Sequence, residues 1–270
     1  MPVKAEWISY GSRSGYLAVP ERAALPLPAV VVIQEIWGVD EHIQDVTRRI
    51  AAAGYAALAP DLWAEHGERP AALRRERVAE LQEFMSRIPP TAWRDQAARE
   101  AELAKLPEPE RIRIAETYGG LFGSIERLPG LVTPLREAVR HLREERPETR
   151  EQPVACVGFC MGGALSALLA CEEEDLAGAA VFYGATPPPE KLDRIACPVI
   201  AFYGGNDVRI NAGIPAFEAG MRRIGRPYEH RVYEGAGHSF FNDTRPSYEV
   251  RAARDSFARL LAFLSRTLTG

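Results

Sequence analysis

The residues best suited to chemistry in this sequence are Cys160, Asp207 and His238. Cys160 lies in Gly158-Phe159-Cys160-Met161-Gly162-Gly163. With 22 glycines and 4 cysteines in 270 residues, a Gly-x-Cys-x-Gly pattern should arise by chance about 0.03 times. Glycines two before and two after the central residue let a strand and a helix meet at a turn sharp enough to strain that residue and present its side chain. A thiol held there sits at a helix N-terminus, where unpaired N–H groups favour thiolate over thiol. The bland reading is a small buried hydrophobe at a tight turn, and it is the reading preferred for Cys156, Cys171 and Cys197. The four cysteines are too few and too clustered for a disulfide framework, and no pair has the Cys-x-x-Cys spacing of zinc or dithiol redox sites.

A nucleophilic thiol needs a base, and the base needs an orienting carboxylate. Asp207 closes Gly204-Gly205-Asn206-Asp207 after the apolar run Val199 to Tyr203. His238 stands in Gly235-Ala236-Gly237-His238-Ser239-Phe240, after the alternating run His230 to Tyr233. Taken singly, a histidine is more often structural and an aspartate after Gly-Gly is a turn residue. Their order after Cys160, nucleophile then acid then histidine, is that of α/β-hydrolases. His42, His66, His141 and His230 read as surface or packing residues without metal-ligand spacing, so neither a metal nor a cofactor is expected.

The elements that must position these residues are legible as apolar runs. Ala29 to Gln34, Tyr55 to Ala59, Val154 to Phe159, Ala179 to Tyr183 and Val199 to Tyr203 are continuous rather than alternating, as in parallel strands buried on both faces. Between them lie helical stretches: Glu41 to Ala53 behind the capping residue Asp40, Met161 to Cys171, and Ile214 to Ile224 closed by Gly225. Tyr248 to Leu268 places Phe257, Leu260, Leu261 and Leu264 on one helical face. The expected fold is α/β, an α/β-hydrolase fold whose mostly parallel sheet has helices on both faces, with residues 1–270 as one domain. From about residue 64 to 130 the alternation stops. Charged helices divided by Pro89-Pro90, Pro107, Pro109 and Gly119-Gly120 read as a helical insertion, either a lid over the carboxyl edge of the sheet or a peripheral decoration. A crossover helix from about Thr133 to Arg146 follows.

Composition narrows the partners. With 46% hydrophobic and 26% charged residues the chain can bury a sizeable core. A net charge of −4 and a pI of about 5.9 give no basic field for nucleic acid or anionic lipid, which favours a small-molecule substrate; a monomer and a homodimer both stay open. The start Met1-Pro2-Val3-Lys4-Ala5-Glu6 has no secretory apolar run, and no stretch approaches the roughly 20 apolar residues of a membrane span. A cytoplasmic location is therefore expected.

Gln34-Glu35-Ile36-Trp37-Gly38, Ala59-Pro60-Asp61-Leu62, the cysteine turn and Gly235-Ala236-Gly237-His238-Ser239-Phe240 together resemble the dienelactone hydrolase family, over about residues 10 to 65 and 130 to 268. From the residues alone, Glu35 is a loop carboxylate at the sheet edge. The resemblance implies that it sits beside Cys160, pairs with the thiol at rest and helps ionise it when substrate binds. It also implies that the N–H of Ile36 joins that of Met161 as an oxyanion hole, and that the reaction is hydrolysis of a small ester or lactone through a thioester. One position departs from the family. Relatives acting on a carboxylated lactone have an arginine four residues after the histidine to hold the substrate carboxylate, and Asn242 cannot replace that bidentate clamp. An uncarboxylated ester or lactone is then expected, unless Arg74 or Arg77 of the insertion supplies a clamp. Trp37, Trp63, Phe122 and Phe240 are candidates for the substrate pocket wall or for the core. Two rival classes stay open: a silent hydrolase fold that binds a small molecule or a protein, and a redox-sensing thiol protein. Turnover of an ester separates both from a hydrolase.

Overall fold

In the computed structural model, which describes residues 2–93, 95–123 and 125–269, eight strands join in one sheet: β1 (Val3–Tyr10), β2 (Arg13–Pro20), β3 (Ala29–Ile33), β4 (Ala56–Pro60), β5 (Val154–Phe159), β6 (Gly178–Phe182), β7 (Val199–Gly204) and β8 (Tyr228–Tyr233). Their order is β1-β2-β4-β3-β5-β6-β7-β8. Strands β3 to β8 run parallel, and the hairpin β1–β2 joins antiparallel through β4. Every residue of β3 to β7 is buried, which is why their sequences are unbroken apolar runs. The sequence reading missed the hairpin, because β1 is a half-exposed edge with charged and apolar residues intermixed.

The helices are α1 (Glu41–Ala52), α2 (Arg75–Arg87), α3 (Gln96–Leu103), α4 (Glu108–Phe122), α5 (Val132–Arg140), α6 (Met161–Glu172), α7 (Val208–Asn211), α8 (Ile214–Arg223) and α9 (Val250–Leu268). Asp40 caps α1, its Oδ1 accepting from the Ile43 N–H at 3.2 Å. Helices α1 and α9 share one core with the sheet residues Val30, Val32, Val157 and Phe159. On α9 the buried face is Ala252, Ala253, Ser256, Leu260, Phe263, Leu264 and Leu268, so Phe263 takes the place expected for Leu261. Helices α5 and α6 pack against each other and on the sheet. Residues Met161 to Cys171 of α6 are buried all round. The expected crossover helix is α5 followed by a π turn, His141–Glu145.

The chain divides into two compact units, Met1–Leu62 with Pro129–Gly270, and Trp63–Leu128. The second holds α2, α3 and α4. Gly119 and Gly120 do not separate helices, as the sequence suggested, but lie inside α4. A Cβ at Gly120 would stand 2.9 Å from Leu73 Cδ2, so glycine there permits close packing rather than a break. In the first unit the parallel strands bring five residues to one edge of the sheet: Glu35 after β3, Cys160 after β5, Tyr183 after β6, Asp207 after β7 and His238 after β8.

Candidate active site

Cys160 joins β5 to α6 with φ 55° and ψ −114°, a left-handed conformation costly for a side chain other than glycine. Its N–H donates to Phe182 O at 3.0 Å, which ties the turn to the neighbouring strand. The flanking glycines are sterically required. A Cβ on Gly158 would lie 1.8 Å from Gly162 O, and one on Gly162 would lie 2.3 Å from Ile33 O. Met161 opens α6, so its N–H lies in the first turn, ahead of the first acceptor the helix itself can supply.

Two loops bring the acid and the base to this thiol. Gly205 N–H donates to Tyr233 O at 2.8 Å, Asn206 N–H to Ala236 O at 2.9 Å, and Asn206 Nδ2 to Gly235 O at 3.0 Å, fastening the segment before Asp207 to the one before His238. His238 Nδ1 lies 2.5 Å from Asp207 Oδ2, and Nε2 lies 3.1 Å from Cys160 Sγ. Asp207 is buried, whereas Cys160 and His238 are half-buried. Burial lowers the His238 pKa, but the Cys160 charge and the hydrogen bond to Asp207 outweigh it and hold the imidazolium well above the ordinary histidine range. The structure thus brings Cys160, His238 and Asp207 into one hydrogen-bonded line.

Glu35 sits in the turn after β3 and is buried. Its Oε1 accepts from the Tyr183 hydroxyl at 3.0 Å and its Oε2 from Asn242 Nδ2 at 2.8 Å. Burial, then the Asp40 charge, push its pKa up, while the Asn242 and Tyr183 hydrogen bonds and the His238 charge pull against them. The expected resting partner of Glu35 was the thiol. Here its described hydrogen bonds go to Tyr183 and Asn242, and the thiol is on His238.

Asn242 requires a correction. It is fully buried, its Nδ2 is on Glu35, and its Oδ1 accepts from the Thr244 N–H at 3.0 Å and Thr244 Oγ1 at 2.7 Å. It is an internal strut rather than a substrate contact, so the departure at this position bears first on Glu35. Phe240 is likewise core, with no exposed surface, between Tyr183 at 5.4 Å and Tyr233 at 5.3 Å. Trp37 is buried beneath the Arg245 guanidinium, 5.0 Å from its ring centre. Ile36 is buried between Glu35 and Gly38, which form a bridge pair. Trp63 and Phe122 belong to the second unit, where Phe122 stacks on Tyr118 at 4.3 Å. Arg77 of that unit is occupied by the Arg113 carbonyl and Glu116, and Arg74 is exposed.

Tyr183 was missed by the sequence reading. Its hydroxyl is on Glu35, its ring meets His238 edge-on at 5.2 Å, and its φ is 40°. An aromatic residue at the end of a buried strand carries no spacing signature, so only the fold reveals it.

The sequence model of the dienelactone hydrolase family matches residues 14–268. A Saccharolobus solfataricus protein provisionally named carboxymethylenebutenolidase is 33% identical over 252 residues, 93% of each chain. An Escherichia coli K12 protein of the same provisional name is 27% identical over 266 residues, 93% of this chain and 81% of its own. The crystal structure of a provisionally named dienelactone hydrolase from Klebsiella pneumoniae superposes with a TM-score of 0.64 at 25% identity, covering 98% of this chain and 99% of that one.

Proposed function

The chain belongs to the dienelactone hydrolase family and is thereby a carboxylic ester hydrolase; from that premise we propose that Cys160, His238 and Asp207 hydrolyse a small ester or lactone through a thioester. The observation that carries this is the placement of one imidazole between a strained thiol at 3.1 Å and a buried carboxylate at 2.5 Å.

With Asp207 on Nδ1, the imidazole directs Nε2 at sulfur. Transfer of the thiol proton to Nε2 gives thiolate and imidazolium, and Asp207 stabilises the second. The thiolate attacks the carbonyl carbon, and its oxygen becomes an oxyanion facing the Met161 N–H and, by family resemblance, that of Ile36. Each such donor is worth about 3 to 4 kcal/mol. The C–O bond then breaks, the alkoxide takes the Nε2 proton and leaves, and a thioester remains. His238, now neutral, accepts a proton from water as the water attacks the thioester. Collapse releases the carboxylic acid and returns the thiolate. In a lactone the departing alkoxide stays attached to the acyl chain, so opening the ring gives one product, a hydroxy acid.

A panel of aryl esters and lactones, followed by single-turnover mass measurement, tests the proposal. Wild type should accumulate an acyl adduct on the peptide containing Cys160. Cys160→Ala and His238→Ala should abolish turnover while remaining folded. Asp207→Asn should retain about 10⁻⁴ of kcat, because an amide cannot hold the productive tautomer. Undiminished turnover by Cys160→Ala would refute the thioester route.

A further inference from the structure

Glu35 is enclosed by two donors that the hydrolytic steps do not require. Tyr183 approaches Oε1 at 3.0 Å and Asn242 approaches Oε2 at 2.8 Å. The Asn242 carboxamide has a fixed sense, because its Oδ1 already accepts from the N–H and the hydroxyl of Thr244, at 3.0 and 2.7 Å. All three side chains of the latch are buried. They come from the turn after β3, the end of β6 and the segment following His238. The Tyr183 ring also meets the His238 ring at 5.2 Å.

We propose that Tyr183 and Asn242 are positioning residues, a latch that holds the Glu35 carboxylate off the Cys160 thiol and one Tyr183 side chain away from His238, where its negative charge favours the imidazolium of the free enzyme. The inference deepens the triad reading and rests on it. Moving Glu35 to the thiol would strand a buried hydroxyl and a buried amide without acceptors, which keeps the carboxylate where it is. The neutrality of Asn242 matters as well. A guanidinium at that position would spend the Glu35 charge in an ion pair, whereas a carboxamide fixes the carboxylate without cancelling it. The other titratable groups facing this cluster are Asp40 before α1, Asp207 on His238 Nδ1 and Cys160 on Nε2. These three are acids, and the Arg245 guanidinium lies over the Trp37 ring, two residues beyond Glu35, at 5.0 Å.

The test follows the His238 ring by NMR through a pH titration of the full chain, with kcat/KM on an ester over the same range. Tyr183→Phe keeps the ring and loses only the hydroxyl, and Asn242→Leu loses the amide at similar volume. Both should lower the pH at which His238 gives up its proton by about half to one unit, moving the basic limb of kcat/KM with it and leaving KM within about twofold. Glu35→Gln should do the same, and Tyr183→Phe added to Glu35→Gln should shift the midpoint no further. If Asn242→Leu does not fold, Tyr183→Phe and Glu35→Gln decide the matter. A His238 midpoint unchanged in both, with near-UV circular dichroism like that of wild type, overturns the latch alone. An ordinary histidine titration in wild type, together with full activity in Cys160→Ala, overturns the triad and the latch with it.

Discussion

At the scale of single residues, the four thiols have very different surroundings. Burial pushes Cys156 and Cys197 up to about 12 and Cys171 up to about 11, and Cys156 Sγ is engaged by Ser166 Oγ at 3.1 Å. Cys160 is half-buried and touches His238. Brief iodoacetamide treatment of the native chain near pH 7.5 should therefore modify Cys160 alone and stop ester hydrolysis in proportion to labelling. Peptide mass mapping reads this directly, and labelling of another cysteine with activity retained would contradict it. The meeting of Cys160, Asp207 and His238 was legible because each follows a strand that ends at the same edge of the sheet. The place of Asn242 was not, since its partner Glu35 is 207 residues away in sequence and no local pattern encodes such a meeting.

At the scale of elements, the two glycine-flanked motifs are alike in sequence and unlike in mechanics. At Gly158 an added Cβ meets backbone at 1.8 Å, whereas at Gly237, next to His238, nothing lies within 4 Å. Gly158→Ala should cost at least about 3 kcal/mol, or prevent folding, because β5 and α6 can no longer meet at Cys160. Gly237→Ala should change stability by no more than about 0.5 kcal/mol. Urea midpoints of the two variants check the contrast, and equal losses would mean that the turn at Cys160 is far more compliant than its geometry implies. Sequence reading found β3 to β7 for the reason that makes Gly158 intolerant: this part of the sheet is closely packed on both faces, so its strands are apolar throughout. It failed on β1, where exposure to solvent at the sheet edge relaxes the pattern, and at Gly120, where close packing on Leu73 and not a chain break accommodates glycine.

At the scale of the whole molecule, acid stability should be governed in large part by a histidine outside the chemistry. His42 lies on α1, fully buried, with neither ring nitrogen hydrogen-bonded among the described residues. Its ring faces Phe159 of β5 at 5.8 Å and Phe241, beyond His238, at 6.1 Å, and Nδ1 stands 3.7 Å from Asp243. Burial, reinforced by the Arg49 charge, pushes it down to about 3. Below the unfolded value of about 6.5 the unfolded chain takes up a proton that the folded chain refuses, and stability falls by about 1.4 kcal/mol per pH unit. Between pH 6.5 and 4.5 this amounts to about 3 kcal/mol. His238 has the opposite perturbation, so its contribution is complete below pH 6.5 and disappears only as pH rises through its folded value. Glu35, raised by burial, opposes the His42 effect within the acid range, so the discriminating comparison is between wild type and His42→Leu. At pH 7.5 the leucine variant should be as stable as wild type or more so, because it replaces two unsatisfied buried nitrogens with apolar surface. By pH 4.5 it should exceed wild type by a further 3 kcal/mol or so, read as a growing gap between urea midpoints measured at pH 7.5, 5.5 and 4.5. A gap that stays constant across the three would mean that His42 accepts its proton in the folded state, with Asp243 as the counter-ion, and that the buried imidazole does not set the acid limit.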